Sequence, residues 1–275
     1  MDFPLPTTLV MNNGLEIPRL GLGVYETAPG EVTRNAVREA LRVGYRHIDT
    51  ARIYGNEADV GAAVRDSGVP RGEVFVTTKL WNDDQGHDAA LRAFDASLSR
   101  LGLEYVDLYL VHWPVPGKRL ESWKALEEIA GDGRARSIGV SNFMAQHLAE
   151  LLGEVSVMPA VNQIELSPFN QQRAARAVCE ENGIVVEAYS PLTRGQRLND
   201  PVVAGVAART KRSPAQVLLR WSLQTGLVVL PKSARPERIR ENAAIFDFEL
   251  SADDMAKLDV LDEGLATGWD PRKQG

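Results

Sequence analysis

The amino-acid sequence predicts an α/β protein folded as a (β/α)₈ barrel, in one domain spanning residues 1–275. Three observations predict it. The chain has a length ordinary for eight β/α units, and no Gly/Ser/Pro-rich linker, low-complexity tract or exact repeat divides it. Short apolar runs alternate with amphipathic segments along its whole length, which leaves an open doubly wound sheet or a closed barrel; eight units in one unbroken domain favour the barrel. Polar residues gather where the runs end: Asp49, Lys79, His112, Ser141, Asn142, Gln163, Glu165, Ser190, Lys232 and Ser233. A barrel packs its interior with apolar side chains and keeps its chemistry at the C-terminal strand ends, so these residues read as one shared site.

The first element is a hairpin. In TTLVMNNGLEIP, Asn13-Gly14 suits the two φ > 0 positions of a type I′ turn, and the hairpin is expected to plug the barrel bottom. Eight strands follow: RLGLG (19–23), RHIDT (46–50), VFVTTK (74–79), VDLYLVH (106–112), RSIGVSN (136–142), PAVNQIE (159–165), IVVEAYS (184–190) and LVVLPKS (227–233). Each is short and mostly apolar, as strands buried on both faces are. Among the helices, Leu91, Phe94, Leu98 and Leu101 share one face. Ser213, Pro214 and Gln216 supply an N-cap, an N1 proline and a capping-box partner ahead of Val217, Leu218 and Trp221. Ser251 opens an extra C-terminal helix, with Asp254 three residues on and Met255, Leu258 and Leu261 facing inward.

Composition narrows the function classes. A net charge of −6, from 31 basic against 37 acidic residues without long single-sign runs, argues against a nucleic-acid-binding surface. Cys179 is the only cysteine, so neither an intramolecular disulfide nor a multi-cysteine metal site exists, and a reducing compartment fits. The N-terminal residues lack the basic and apolar regions of a signal peptide, and no run approaches the ~18 apolar residues of a membrane span. The expectation is a cytoplasmic protein without a membrane or nucleic-acid partner.

The strand ends point to proton transfer. Asp49 ends the second strand, Tyr54 lies on the turn beyond it, Lys79 ends the third strand and His112 the fourth. A free tyrosine titrates near ~10; an adjacent lysine ammonium is expected to lower that value, and Asp49 to hold Lys79 charged and in place. His112 would donate to a substrate oxygen. His47, His87 and His147 lack metal-ligand spacing with His112, so no metal is expected. Any one of these residues alone would be ordinary; their convergence at three successive strand tips is not. No G-x-G-x-x-G fingerprint is present, because Glu26 stands where the third glycine would be. After strand eight, Lys232, Ser233 and Arg238 border a helix start and suit a monophosphate such as the adenosine 2′-phosphate of NADP.

With these residues in place the chain resembles the aldo-keto reductase family, and within it the bacterial 2,5-diketogluconate reductase-like branch. The likeness rests on HIDTARIYGNE, DLYLVHWP, RSIGVSNF, AVNQIELSP and VLPKSARPERIREN, in that order along nearly the whole chain. It implies a TIM barrel with a catalytic tetrad of Asp49, Tyr54, Lys79 and His112, Tyr54 being the general acid in reduction of an aldehyde or ketone to an alcohol. It implies NADPH extended across the barrel mouth. Ser141, Asn142 and Gln163 would hold the carboxamide, and Tyr189 would stack on the nicotinamide. Ser190 and Leu192 would meet the pyrophosphate, and Lys232, Ser233, Ala234, Arg238, Glu241 and Asn242 the adenosine end. It also leans toward a monomer.

Tyr25, Trp81 and Trp113, with His112, are the candidate substrate-facing residues, and Trp269 is a further one on the tail. Such aromatic walls suit small aldehydes, dicarbonyls, keto sugars or planar quinones. Arg52 departs from the family pattern, where that position is often uncharged. Two rival readings are a non-redox barrel lyase using Lys79 as a Schiff base and a non-catalytic NADPH-sensing subunit.

Overall fold

The computed structural model describes residues 7–273. The expected domain bounds run past it, since residues 1–6 and 274–275 lie outside the described residues. The chain opens with a hairpin of β1 (Thr8–Val10) and β2 (Glu16–Pro18), paired antiparallel. Then come the barrel strands β3 (Leu22–Gly23), β4 (His47–Asp49), β5 (Phe75–Leu80), β6 (Val106–Val111), β7 (Ala135–Ser141), β8 (Val161–Glu165), β9 (Val185–Tyr189) and β10 (Val228–Leu230). They pair in parallel in sequence order. The parallel bridges Leu20–Val229 and Gly23–Lys232 join the last strand to the first and close the barrel. Gly21 sits at that seam: a Cβ there would lie 2.9 Å from the His47 ring and 2.6 Å from Leu230, so only glycine allows the close approach.

The helices follow the strands. They are α1 (Glu31–Arg42), α2 (Glu57–Asp66), α3 (His87–Leu101), α4 (Arg119–Gly131), α5 (Ala145–Leu152), α6 (Arg173–Glu181), α7 (Pro201–Thr210), α8 (Pro214–Gln224), α9 (Pro236–Ala243) and α10 (Ala252–Asp259). Their apolar faces, with Phe94, Trp123 and Trp221 fully buried, pack around the outside of the barrel. Burying side chains of this size contributes about 1.5–3 kcal/mol each. The capping boxes read from the sequence are formed. Ser213 N donates to Gln216 Oε1 while Gln216 N donates to Ser213 Oγ, and Ser251 and Asp254 repeat the pattern at α10.

Two expectations need correction. The hairpin turn is not type I′, because Gly14 takes φ 81° whereas Asn13 is absent from the positive-φ residues. Met11 and Leu15 close a three-residue loop by Met11 N–H to Leu15 O, and Asn13 uses its side chain instead, accepting from Leu15 N. That is the alternative hairpin solution in which a glycine in the left-handed region ends the turn. The second correction is α7, which the sequence reading passed over. Its signal was there, since Asp200 precedes Pro201 and its carboxylate accepts from Val202 N and Val203 N. Among the described residues no helix is long and apolar enough to cross a membrane.

The hairpin does lie against the barrel bottom. Met11 and Ile17 form one apolar cluster with Phe75, Leu108, Leu110, Val161 and Val228, which come from four barrel strands. Asn12 Nδ2 donates to Pro159 O, and Asn13 Nδ2 to Ser137 Oγ, fixing the hairpin to the strand starts. With one end sealed in this way, the polar C-terminal ends are left as the open mouth.

Candidate active site

The site is built on the ends of β4 and β5. Asp49 and Thr77 are register partners, so Lys79, two residues further along β5, stands above that pair on the same face. Lys79 is fully buried, and its Nζ donates to both Asp49 oxygens at 2.6 and 2.8 Å and to Thr50 O at 2.9 Å. Its fourth contact is Tyr54 Oη at 3.4 Å. Tyr54 ends the short turn Arg52–Tyr54, which Gly55 closes at φ 69°. That turn is pinned by buried Asn56, whose Oδ1 accepts from Thr50 Oγ1 and whose Nδ2 donates to Val24 O and Thr27 O. The Tyr54 ring lies 5.0 Å from Tyr25 and 5.9 Å, edge-on, from His112.

The electrostatics differ from the sequence expectation. Burial, and then the Asp49 carboxylate, push the Tyr54 phenol well above its ordinary value. Burial and the Asp49 carboxylate outweigh the nearby Lys79 ammonium, which Asp49 grips with both oxygens. The resting Tyr54 phenol is therefore protonated at neutral pH. Burial, with Lys79 second, holds His112 well below the ordinary imidazole range, so the ring is neutral. The arrangement does not suit a Schiff base. Three oxygens occupy the Nζ donor directions, and the side chain is enclosed on all sides.

Beneath this pair lies a polar network that sequence reasoning missed. Gln163 Nε2 donates to Asp49 Oδ2 at 2.9 Å and to Glu187 Oε2 at 2.8 Å. Glu187 Oε1 lies 3.7 Å from His47 Nε2, which also meets Thr77 Oγ1 at 3.0 Å. Glu187 and His47 are fully buried. The only signal in the sequence was a charged residue in the middle of an otherwise apolar strand, IVVEAYS.

Burial, reinforced by Asp49, raises Glu187 above the ordinary carboxylate range, while burial lowers His47 to about 4. The two act on stability with opposite signs. His47 is depressed, so its contribution is present above ~6.5, where the unfolded imidazole is neutral, and is lost as pH falls toward 4; the whole drop is about 3 kcal/mol. Glu187 is raised, so its contribution is present below ~4.3 and is lost as pH rises through the folded value. Replacing Glu187 with glutamine removes only the second slope. The stability of wild type relative to E187Q, read from urea melts, is expected to shrink as pH rises from about 5 to about 8. A difference that grows over that range would contradict the assignment.

The residues expected to hold a cofactor lie at or beyond the ends of β7, β8, β9 and β10. Asn142, left-handed at φ 64°, donates from Nδ2 to His112 O and Ser141 Oγ, and its Oδ1 accepts from Tyr189 Oη at 2.8 Å. Ser141 Oγ donates to Gln163 O. These contacts tie β6, β7, β8 and β9 together and leave Tyr189 half-buried. Ser190 follows at φ 47°, and Leu192 packs partly on the core. Just beyond β10, Lys232 is exposed and donates to Glu26 O. Ser233 Oγ accepts from Arg235 N ahead of α9. Arg238 is exposed; its backbone N–H donates to Arg235 O, and its side chain makes no hydrogen bond or salt bridge among the described residues. Ala234 and Glu241 are half-buried nearby, and Asn242 is buried.

On the opposite rim the aromatic residues meet. Trp81 lies 5.3 Å from His112, and Trp269 lies 6.3 Å from Trp81 and 5.8 Å from Trp113. A cavity of about 510 Å³ opens beside them, lined by Asn82, Asp83, Trp113, Pro114, Lys118 and Trp269 among others. The tail that carries Trp269 is held by Glu165 at the end of β8, whose Oε1 accepts from Thr267 N at 2.8 Å and from Thr267 Oγ1. Arg52 has a partner as well: its Nε stands 3.5 Å from Asp84 Oδ2, joining the loops after β4 and β5.

Comparison with known proteins agrees with this architecture. The sequence profile of the aldo/keto reductase family matches residues 19–263. The chain is 48% identical to the glyoxal reductase of Bacillus subtilis over 271 residues, 98% of each protein. It is 52% identical to the morphine 6-dehydrogenase of Pseudomonas putida over 277 residues, 95% of this chain and 93% of that one. Among solved structures, a Gox0644 variant in complex with NADPH superposes with a TM-score of 0.92 at 45% identity, covering 97% of this chain and 98% of that one. With a family match across most of its length and relatives about half identical end to end, the chain belongs to the aldo/keto reductase family and is an oxidoreductase.

Proposed function

We propose that the chain reduces aldehydes or ketones to alcohols with NADPH, and that Tyr54 delivers the proton to the carbonyl oxygen. The observation that carries this reading is the contact series Asp49–Lys79–Tyr54, which emerges at the barrel mouth beside His112 and Tyr189. The residues present fit the cofactor. Arg238, whose guanidinium forms no salt bridge among the described residues, stands with Lys232 and Ser233 about the start of α9 and would take the adenosine 2′-phosphate. Ser190, Leu192, Ala234, Glu241 and Asn242 would line the pyrophosphate and adenosine. Gln163, with both N–H groups occupied, keeps Oε1 for the amide N–H of the nicotinamide carboxamide. Ser141 and Asn142 would assist it, and the Tyr189 ring would lie flat against the nicotinamide.

NADPH supplies the hydride. The protein's part is to place the carbonyl oxygen and handle the proton. His112 Nδ1 is buried without a partner, and a buried N–H with no acceptor is costly, so the ring proton belongs on Nε2. That N–H and the Tyr54 hydroxyl would hold the substrate oxygen together. As Tyr54 gives up its proton, the Lys79 ammonium compensates the charge left on the phenolate. Every residue in this scheme comes from one chain, so a monomer suffices, and a single buried cysteine suits the reducing cytoplasm. The aromatic rim of Tyr25, Trp81, Trp113 and Trp269 favours small carbonyls, dicarbonyls, keto sugars or quinones.

The test is a carbonyl panel read by loss of nicotinamide absorbance with NADPH and with NADH. Turnover with NADPH on part of the panel supports the reading. Tight NADPH binding without turnover would support the sensing subunit instead. Within the same assay, Arg238→Ala is expected to raise the Kd of NADPH by about 10- to 100-fold while leaving NADH nearly unchanged, the usual effect of deleting a charge-assisted contact. Equal losses for both would remove Arg238 from recognition of the 2′-phosphate.

A further inference from the structure

Glu187 has no part in the proton-transfer scheme, yet it lies in the centre of the barrel with no solvent exposure. It is the register partner of Gln163 on the adjacent strand, and the Gln163 amide bridges Glu187 to Asp49. A carboxamide is nearly symmetric in shape, so packing alone does not decide which end is oxygen and which is nitrogen. Two acceptors on one side decide it. The NH₂ group satisfies Asp49 Oδ2 and Glu187 Oε2 together, whereas the flipped amide would press its carbonyl oxygen against the Asp49 carboxylate and withdraw the donor from Glu187 Oε2. Asp49 alone fixes one of the two N–H groups; Glu187 fixes the other. The charged and titratable groups facing Glu187 are Asp49 and His47 from β4 and Lys79 from β5.

We propose that Glu187 is a positioning residue for cofactor binding: by holding the Gln163 amide in one orientation, it keeps Gln163 Oε1 turned to the nicotinamide end of the groove. The proposal rests on the reading that Gln163 meets the nicotinamide carboxamide. Glu187 touches neither cofactor nor substrate and acts only through Gln163. Removing its acceptor lets the amide rotate or flip, which weakens the nicotinamide contact without touching the adenosine end.

The experiment measures the Kd of NADPH and of adenosine 2′,5′-bisphosphate, which carries the 2′-phosphate and lacks nicotinamide, by fluorescence and calorimetric titration of the full chain. Glu187→Leu is expected to raise the NADPH Kd about tenfold and to leave the bisphosphate Kd unchanged, in keeping with loss of one buried hydrogen bond. Glu187→Gln, which keeps a carbonyl acceptor, is expected to restore NADPH affinity to within about twofold of wild type. Gln163→Leu is expected to weaken NADPH at least as much, and the double variant no further, because both changes remove the same contact. Where E187L fails to fold by circular dichroism, Glu187→Ala carries the same comparison. Equal weakening of both ligands, unchanged NADPH affinity, or additive losses in the double variant each overturn the role of Glu187. A wild-type chain that binds neither ligand overturns the NADPH reading itself, which separates the two failures.

Discussion

Replacing Tyr54 with phenylalanine is expected to lower kcat/KM for carbonyl reduction by about 10³-fold while leaving the Kd of NADPH within about twofold of wild type. The loss is that of a positioned general acid. The ring remains, with its contacts to Tyr25 and His112, so the mouth keeps its shape. Only the hydroxyl is removed, and among the described residues no other side chain in contact with Lys79 offers a proton: Asp49 is an acceptor, and the Thr50 contact is a backbone carbonyl. The raised phenol also fixes the sign of the pH dependence. Tyr54 is protonated well past its ordinary value, so the reducing rate loses nothing to its ionisation across the neutral range and falls only as pH rises through the elevated folded value. Oxidation of the alcohol needs the phenolate and is expected to quicken as pH rises over the same range. Near-full reductive activity in Y54F would remove Tyr54 from the mechanism.

That prediction differs in one respect from the sequence expectation, and the reason marks where sequence reading stops. The β/α order was legible because each parallel strand is buried on both faces and reads as a short apolar run ending in polar residues. The convergence of Asp49, Tyr54, Lys79 and His112 was legible for the same reason, since strand ends in a barrel share one mouth. What could not be read was how charge is divided inside that mouth. The sequence sets Lys79 near Tyr54; only the folded structure shows the phenol buried, with both Asp49 oxygens on Nζ, so that an expected lowering of the phenol becomes a rise. Glu187 and His47 were hidden because a one-dimensional pattern gives no depth: a glutamate in IVVEAYS reads alike whether it faces the barrel centre or the helices. The placement of Trp269 was equally illegible. It depends on a tail contact spanning 102 residues, from Thr267 to Glu165. The turn at Asn13-Gly14 shows a finer limit, since the dipeptide marks a hairpin without choosing between its turn types.

Lys79→Met is expected to destabilise the fold by about 3–5 kcal/mol and to abolish measurable reduction, because it strands a carboxylate in a site where it was matched. Asp49 is 4% exposed, and without Lys79 its only remaining side-chain donor among the described residues is Gln163 Nε2. One amide hydrogen bond does not compensate a buried charge. The double variant D49N/K79M tests this directly, since it removes both charges and leaves a neutral amide among the same neighbours. It is expected to recover most of the stability lost in K79M while remaining inactive, as a pair of buried charges is costly to break but nearly neutral to replace. Stability and catalysis would then separate: the pair is not required to hold the barrel together, and its role is to keep an ammonium beside Tyr54 Oη. Urea melts and single-turnover reduction assays on the two variants read both halves. If K79M melts like wild type, or if the double variant is no more stable than K79M, Asp49 and Lys79 do not form the coupled buried pair on which the proton-transfer scheme depends.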